Sequence, residues 1–199
     1  MHHHHHHGGS GSFIRANNQV ISFAEYTDVL QRDQRFFTAN ELTIPADSGF
    51  QNIPEFVEDL LAQSTTRILL KFKSTTWWQG YNNYVNNPIY RLNNLPDLDP
   101  NRIDPGNQRG RQGAFTDLCV YYAMKEYLLP LVSQFDTDGA DLAKIQYYDT
   151  KFMDLFSELV AMADWYDADN SGTVDPDEIA YSYQQTRRTR RRQQIVRVR

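Results

Sequence analysis

Asp167-Ala168-Asp169-Asn170-Ser171-Gly172-Thr173-Val174-Asp175-Pro176-Asp177-Glu178 is the stretch on which the reading of the chain turns. Oxygen-bearing side chains fall at its first, third, fifth, ninth and twelfth positions: Asp167, Asp169, Ser171, Asp175 and Glu178. Gly172 stands sixth, where a loop wrapping a cation must turn sharply, and Thr173 seventh, where only a backbone carbonyl is required. A hard cation such as Ca²⁺ takes about six to eight oxygens, and a bidentate carboxylate at the twelfth position completes the sphere. Val174, in the eighth position, is apolar and suits a loop whose middle is pinned to a core. A helix cap is the competing reading. Asp175-x-x-Glu178 forms a capping box, and Pro176 suits a first helical turn. That cap leaves the spacing of Asp167, Asp169 and Gly172 unexplained, and leaves three close carboxylates without a counter-ion.

The stretch resembles the EF-hand calcium loop, with Ser171 in place of the Asp or Asn usual at the fifth position. The resemblance implies one Ca²⁺ held by Asp167, Asp169, Ser171, the Thr173 carbonyl, Asp175 directly or through water, and Glu178, between two helices. A neutral serine is a weaker ligand than a carboxylate, which lowers the expected affinity. EF-hand sensors usually pair two loops. The second acidic stretch, Asp136-Thr137-Asp138-Gly139-Ala140-Asp141, fails as a partner: Gly139 is fourth, Asp141 sixth and Tyr147 twelfth. A single intact loop, in a chain with four methionines, favours a structural site; a calcium sensor is the alternative.

Residues 1–12 are an expression tag and linker, and all six histidines lie there. The other 187 residues hold no histidine, which excludes Ser-His-Asp and Cys-His catalysis, His-ligated zinc and histidine pH switches. The one cysteine, Cys119, lies in an apolar helical pattern and reads as a small buried side chain. Neither GxGxxG nor GxxxxGK[ST] occurs; Arg109-Gly110-Arg111-Gln112-Gly113 is basic and glycine-containing but follows no strand pattern. No enzymatic activity is expected. No run of apolar residues is long enough to span a membrane, so no membrane partner is expected.

Hydrophobic periodicity gives an all-α fold: a helical bundle with one EF-hand-like helix–loop–helix, a long irregular central loop and an extended basic C-terminal arm. Ser22-Phe-Ala-Glu25 reads as a capping box for a helix over 22–31. Asn52, Pro54 and Glu55 open a long helix over 53–73, and Trp77, Trp78, Tyr81 and Tyr84 continue as a helix over 76–86. Residues 32–52 and 86–112 read as irregular, the second as a mobile or partner-contacting loop. A helix over 114–129 stops near Pro130 or runs on kinked to about 135. Asp141 caps a helix over 142–166, which delivers the chain to the calcium loop, and 179–188 forms the exiting helix. No strand pattern is visible before the extended end of the chain. The domain divides as tag 1–12, helical body 13–186 and arm 187–199.

Charge is unevenly placed. Residues 187–199 carry seven arginines and no acid; the rest holds 13 Lys and Arg against 25 Asp and Glu, a net of −12. In the arm, Arg187, Arg188, Arg190, Arg191 and Arg192 precede Ile195, Val196 and Val198. The arginines repel one another in a free helix, and the β-branched residues form a segment too short for a sheet of its own. Such a segment gains backbone hydrogen bonds on the strand edge of a protein partner, with the arginines facing an acidic surface or making non-specific contacts to DNA phosphates. The layout, and in particular the Leu/Tyr-rich helix, acidic turn and Lys144-Ile-Gln-Tyr147-Tyr-Asp-Thr-Lys-Phe152 within 113–157, resembles head–tail connector (adaptor) proteins of tailed bacteriophages. A calcium loop is not a general feature of that family. The resemblance implies a virion protein in a homo-oligomeric ring, its arm on the portal or a neighbouring subunit; outside that reading a cytoplasmic protein is expected.

Overall fold

The computed structural model describes residues 13–34, 42–78, 97–132, 139–176, 178 and 179. The expected helical residues 79–86, the loop residues 86–96, the acidic turn at 136–138, the exiting helix beyond Ile179 and the arm 187–199 lie outside them. The fold is mainly helical. The described elements are β1 (Ile14–Ala16), β2 (Gln19–Ser22), α1 (Tyr26–Arg32), α2 (Ile53–Lys73), α3 (Gln112–Ala123), α4 (Leu129–Val132) and α5 (Ala140–Met162). No helix is long and apolar enough to cross a membrane among the described residues.

The small two-stranded sheet is an addition to the mainly helical body and corrects the expectation that no strand precedes the end of the chain. β1 and β2 pair antiparallel around Asn17 and Asn18, both left-handed at φ 50° and 63°. Asparagine tolerates that region, and two left-handed residues give a turn whose twist matches the strands it joins. Pairing draws Ser22 into β2, so it does not cap the next helix. α1 starts four residues later, where the Glu25 N–H donates to the Asp28 carboxylate at 2.8 Å.

α2 forms where its signals place it. The Asn52 side chain accepts from the Glu55 N–H at 2.9 Å, and Pro54 occupies the first turn, where a missing N–H costs nothing. Phe56, Val57, Leu60, Leu61, Ile68 and Phe72 give it a continuous buried face. Two hydroxyls interrupt that face, and both are satisfied: Ser64 donates to the Leu60 carbonyl and Thr65 to the Leu61 carbonyl. Thr65 also accepts the Phe23 N–H at 3.0 Å, which fastens the end of the hairpin to the helix.

α3 is the centre of the packing, between α2 and α5. It is buried around much of its circumference, as a central helix must be: Phe115, Leu118, Cys119, Val120, Tyr122 and Ala123 are all inside. Burial pushes the Cys119 thiol up to about 12, so it remains a protonated packing group. The helix does not stop at Pro130. It widens into a π turn over Met124–Leu128, where the Leu129 N–H bonds the Met124 carbonyl, and continues as α4. The wider turn lies just ahead of the proline, whose ring would crowd the carbonyl four residues back in a regular helix.

α5 starts at Ala140, with Gly139 as its cap, so Asp141 sits in the first turn and is not the cap. It ends at Met162, where Ala163 turns left-handed at φ 46°. This is four residues short of the expected end and alters how the chain reaches the acidic loop. The core closes there: the Trp165 ring packs on Phe72, Trp77 and Phe115 at centroid distances of 5.0, 4.7 and 4.8 Å.

The described part of the central loop, 97–111, is built into the body. It forms two 3-10 turns, Pro100–Arg102 and Pro105–Asn107, and buries Leu98, Ile103 and Asp104. Lys73 at the end of α2 pairs with Asp97 at its start. Asn101 binds the hairpin: its side-chain Oδ1 accepts the Val20 N–H at 3.0 Å and the Arg15 guanidinium at 3.1 Å.

Candidate metal centre

The acidic loop is approached by pinned backbone and not by a helix end, which corrects the expected helix over 142–166. Asp164, first after the α5 cap, is gripped by Arg111 through two hydrogen bonds of 3.1 and 2.7 Å. Trp165 turns inward, fully buried, and its indole N–H donates to the Leu159 carbonyl at 2.7 Å. Tyr166 then forms an antiparallel bridge with Ile103: the Asp104 N–H donates to the Trp165 carbonyl at 2.6 Å and the Asp167 N–H to the Arg102 carbonyl at 2.9 Å. Asp167 is therefore delivered from backbone fixed on both sides.

The loop closes on its own carboxylates. Asp167, 1 % exposed, accepts the Ser171 N–H at 3.1 Å on one oxygen and the Gly172 N–H at 2.8 Å on the other. Folding back this tightly puts Asn170 at φ 60° and Gly172 at φ 89°; the second is the position at which the sequence supplies glycine. Asp169 accepts the Ser171 N–H at 3.0 Å. Glu178 reaches across from the far end. Its Oε1 accepts the Ala168 N–H at 2.7 Å and the Asp169 N–H at 3.1 Å, and its Oε2 accepts the Asp175 N–H at 2.8 Å.

Three of the six expected ligands converge: carboxylate oxygens of Asp167, Asp169 and Glu178 lie within 4.8 Å of one another. Ser171, Thr173 and Asp175 form a second chain beside them. The Ser171 hydroxyl donates to the Thr173 carbonyl at 3.1 Å, and the Thr173 hydroxyl donates to Asp175 at 3.1 Å. The helix cap is present in part, since Glu178 does bind the Asp175 N–H. The same carboxylate also spans ten residues back to Ala168, which a cap does not require. Val174 is buried, as its position requires.

Burial raises the Asp167 carboxyl above its ordinary range, the Gly172 N–H opposes this, and Asp169 beside it adds to the rise. Asp169 is lowered, chiefly by the Ser171 hydroxyl and N–H and then by Asp167. The two acids thus compete for charge. Among the described residues no ion pair is formed with Asp167, Asp169 or Glu178. Only N–H and O–H dipoles offset their mutual repulsion, and a divalent cation relieves such a cluster directly. All the donors are oxygens, which suits Ca²⁺ and not a metal that prefers nitrogen or sulfur.

Sequence reading missed the partner of this loop. Residues 102–111 line its outer side: Arg102 donates to the Ala168 carbonyl at 3.0 Å and Arg109 to the Val174 carbonyl at 2.9 Å, with a longer contact of 3.5 Å from Gln108 to the Gly172 carbonyl. Asp104 holds this strap in shape. It is fully buried at φ 41°, accepts the Arg109 and Arg111 N–H groups at 2.9 and 2.7 Å, and offers its own carbonyl to Gln112 at 2.9 Å. The available signal was local, a basic Arg109-Gly-Arg111 next to the Asp104-Pro-Gly-Asn turn; its pairing with a loop some 60 residues away was not. Compared with known proteins, the chain matches no family model, no curated protein and no solved structure.

Proposed function

We propose that this is a non-enzymatic structural protein whose loop 167–178 binds one Ca²⁺ as a brace, and whose C-terminal arm docks a protein partner. The observation that carries the metal reading is the convergence of Asp167, Asp169 and Glu178 on one point at the spacing a calcium loop requires. Ser171, the Thr173 carbonyl and Asp175 supply the remaining oxygens in this reading. The brace follows from the surroundings of the loop: the segment leading into it is held by the Arg111–Asp164 pair at the start of α3 and by the buried Trp165.

The arm, with Arg187, Arg188, Arg190, Arg191, Arg192, Ile195, Val196 and Val198, is the docking element of the proposal, and the setting is a head–tail connector ring of a bacteriophage virion. This part rests on the charge asymmetry and the layout of the chain. Deleting residues 187–199 is expected to leave the melting temperature within about 2 °C, the scale of less than 1 kcal/mol for a domain this size. The same deletion abolishes assembly with the partner. Marked destabilisation would place the arm inside the fold, and unimpaired assembly would make it a passive tail.

A brace and a switch differ in what calcium does to exposed apolar surface. Circular dichroism and an apolar dye are expected to report nearly the same body in chelator and in calcium at low temperature, with calcium raising only the melting temperature. A large calcium-dependent rise in dye binding would overturn the brace and establish a sensor.

A further inference from the structure

Building on the calcium reading above, we infer that the 102–109 strap is the pre-organising half of the site, and that Arg109 is its principal positioning residue. The argument lies in which carbonyls the strap takes. Ala168, Gly172 and Val174 give theirs to Arg102, Gln108 and Arg109. Thr173, between two of these, gives its carbonyl to the Ser171 hydroxyl, another ligand candidate. The strap therefore binds the peptides on either side of the one carbonyl the cation needs and leaves that one to the loop's own Ser171 hydroxyl. Site rigidity, with ligand charge, is what sets the affinity of calcium loops. A loop held in its binding geometry before the ion arrives loses less freedom on binding.

Arg109 is the member to test. Its side chain is exposed, its guanidinium spends a charge-assisted bond on Val174, and its backbone N–H, which holds Asp104, is kept by every residue but proline. In chelator, a loop released from Arg109 recovers conformational freedom that offsets the lost bond. With calcium bound it cannot. R109M is thus expected to weaken calcium binding by about tenfold, the scale of one charge-assisted hydrogen bond. It should also lower the melting temperature more in calcium than in chelator.

The experiment is calorimetric titration of the full chain with CaCl₂, for the unaltered protein, R109M and R109K, with melts of each in chelator and in calcium. R109K keeps a donor and is expected to recover most of the affinity. Unchanged affinity in R109M, equal destabilisation with and without calcium, or no recovery in R109K would each overturn the inference while leaving the calcium site standing. Absence of calcium binding by the unaltered chain would overturn the underlying reading and the strap's role with it.

Discussion

Trp165→Ala is expected to cost about 3–5 kcal/mol of stability, the range for truncating a large buried aromatic. The indole is fully buried, touches Phe72, Trp77 and Phe115, and satisfies the Leu159 carbonyl near the end of α5. Alanine leaves a cavity where α2, α3 and α5 meet and removes that carbonyl's indole donor. Urea denaturation in chelator measures the loss. Trp165→Phe keeps part of the volume but not the N–H, and falls between the two. Because Asp167 follows two residues later, the alanine variant should also bind calcium more weakly. A loss below about 0.5 kcal/mol, the ordinary size of a surface effect, would mean that the aromatic cluster does not organise this end of the body.

Glu178→Gln is expected to remove most of the stabilisation that calcium confers. An ion that binds only the folded chain adds about 2.7 kcal/mol at 100 times its dissociation constant. For a domain of this size that is roughly 5–11 °C in melting temperature. Glu178 donates nothing and accepts three N–H groups, from Ala168, Asp169 and Asp175. Gln keeps one acceptor oxygen and turns an NH₂ toward a backbone donor, so a small loss appears even in chelator. The informative quantity is therefore the difference between melts with and without calcium. It should be large in the unaltered chain and near zero in E178Q. An equal increment in both would mean that Glu178 is a helix cap and not a ligand.

Some of this molecule was readable residue by residue. The cap at Asn52, the proline in the next turn and the apolar face of α2 are local signals, and the helix stands where they put it. The convergence of Asp167, Asp169 and Glu178 was readable because a loop of fixed spacing within twelve residues was expected there, and these three carboxylates do come together. The hairpin was not: strands of three and four residues carry too few positions to show a period, and only Asn17-Asn18 marked the turn. The end of α5 was hidden for a different reason. Ala163, Trp165 and Tyr166 continue an apolar helical pattern, and the helix stops because Asp164, Trp165 and Tyr166 are claimed by Arg111, the aromatic core and Ile103. The loop over 97–111 looked irregular because its order comes from buried Asp104 and from partners on the far side of the sequence.

The most direct test of the proposed calcium site is calorimetric titration of the chelator-stripped chain with CaCl₂. Saturable binding at one equivalent per chain, lost in E178Q, is the expected result. No saturable binding up to about 10 mM calcium, beyond the weakest sites of this kind, would contradict it.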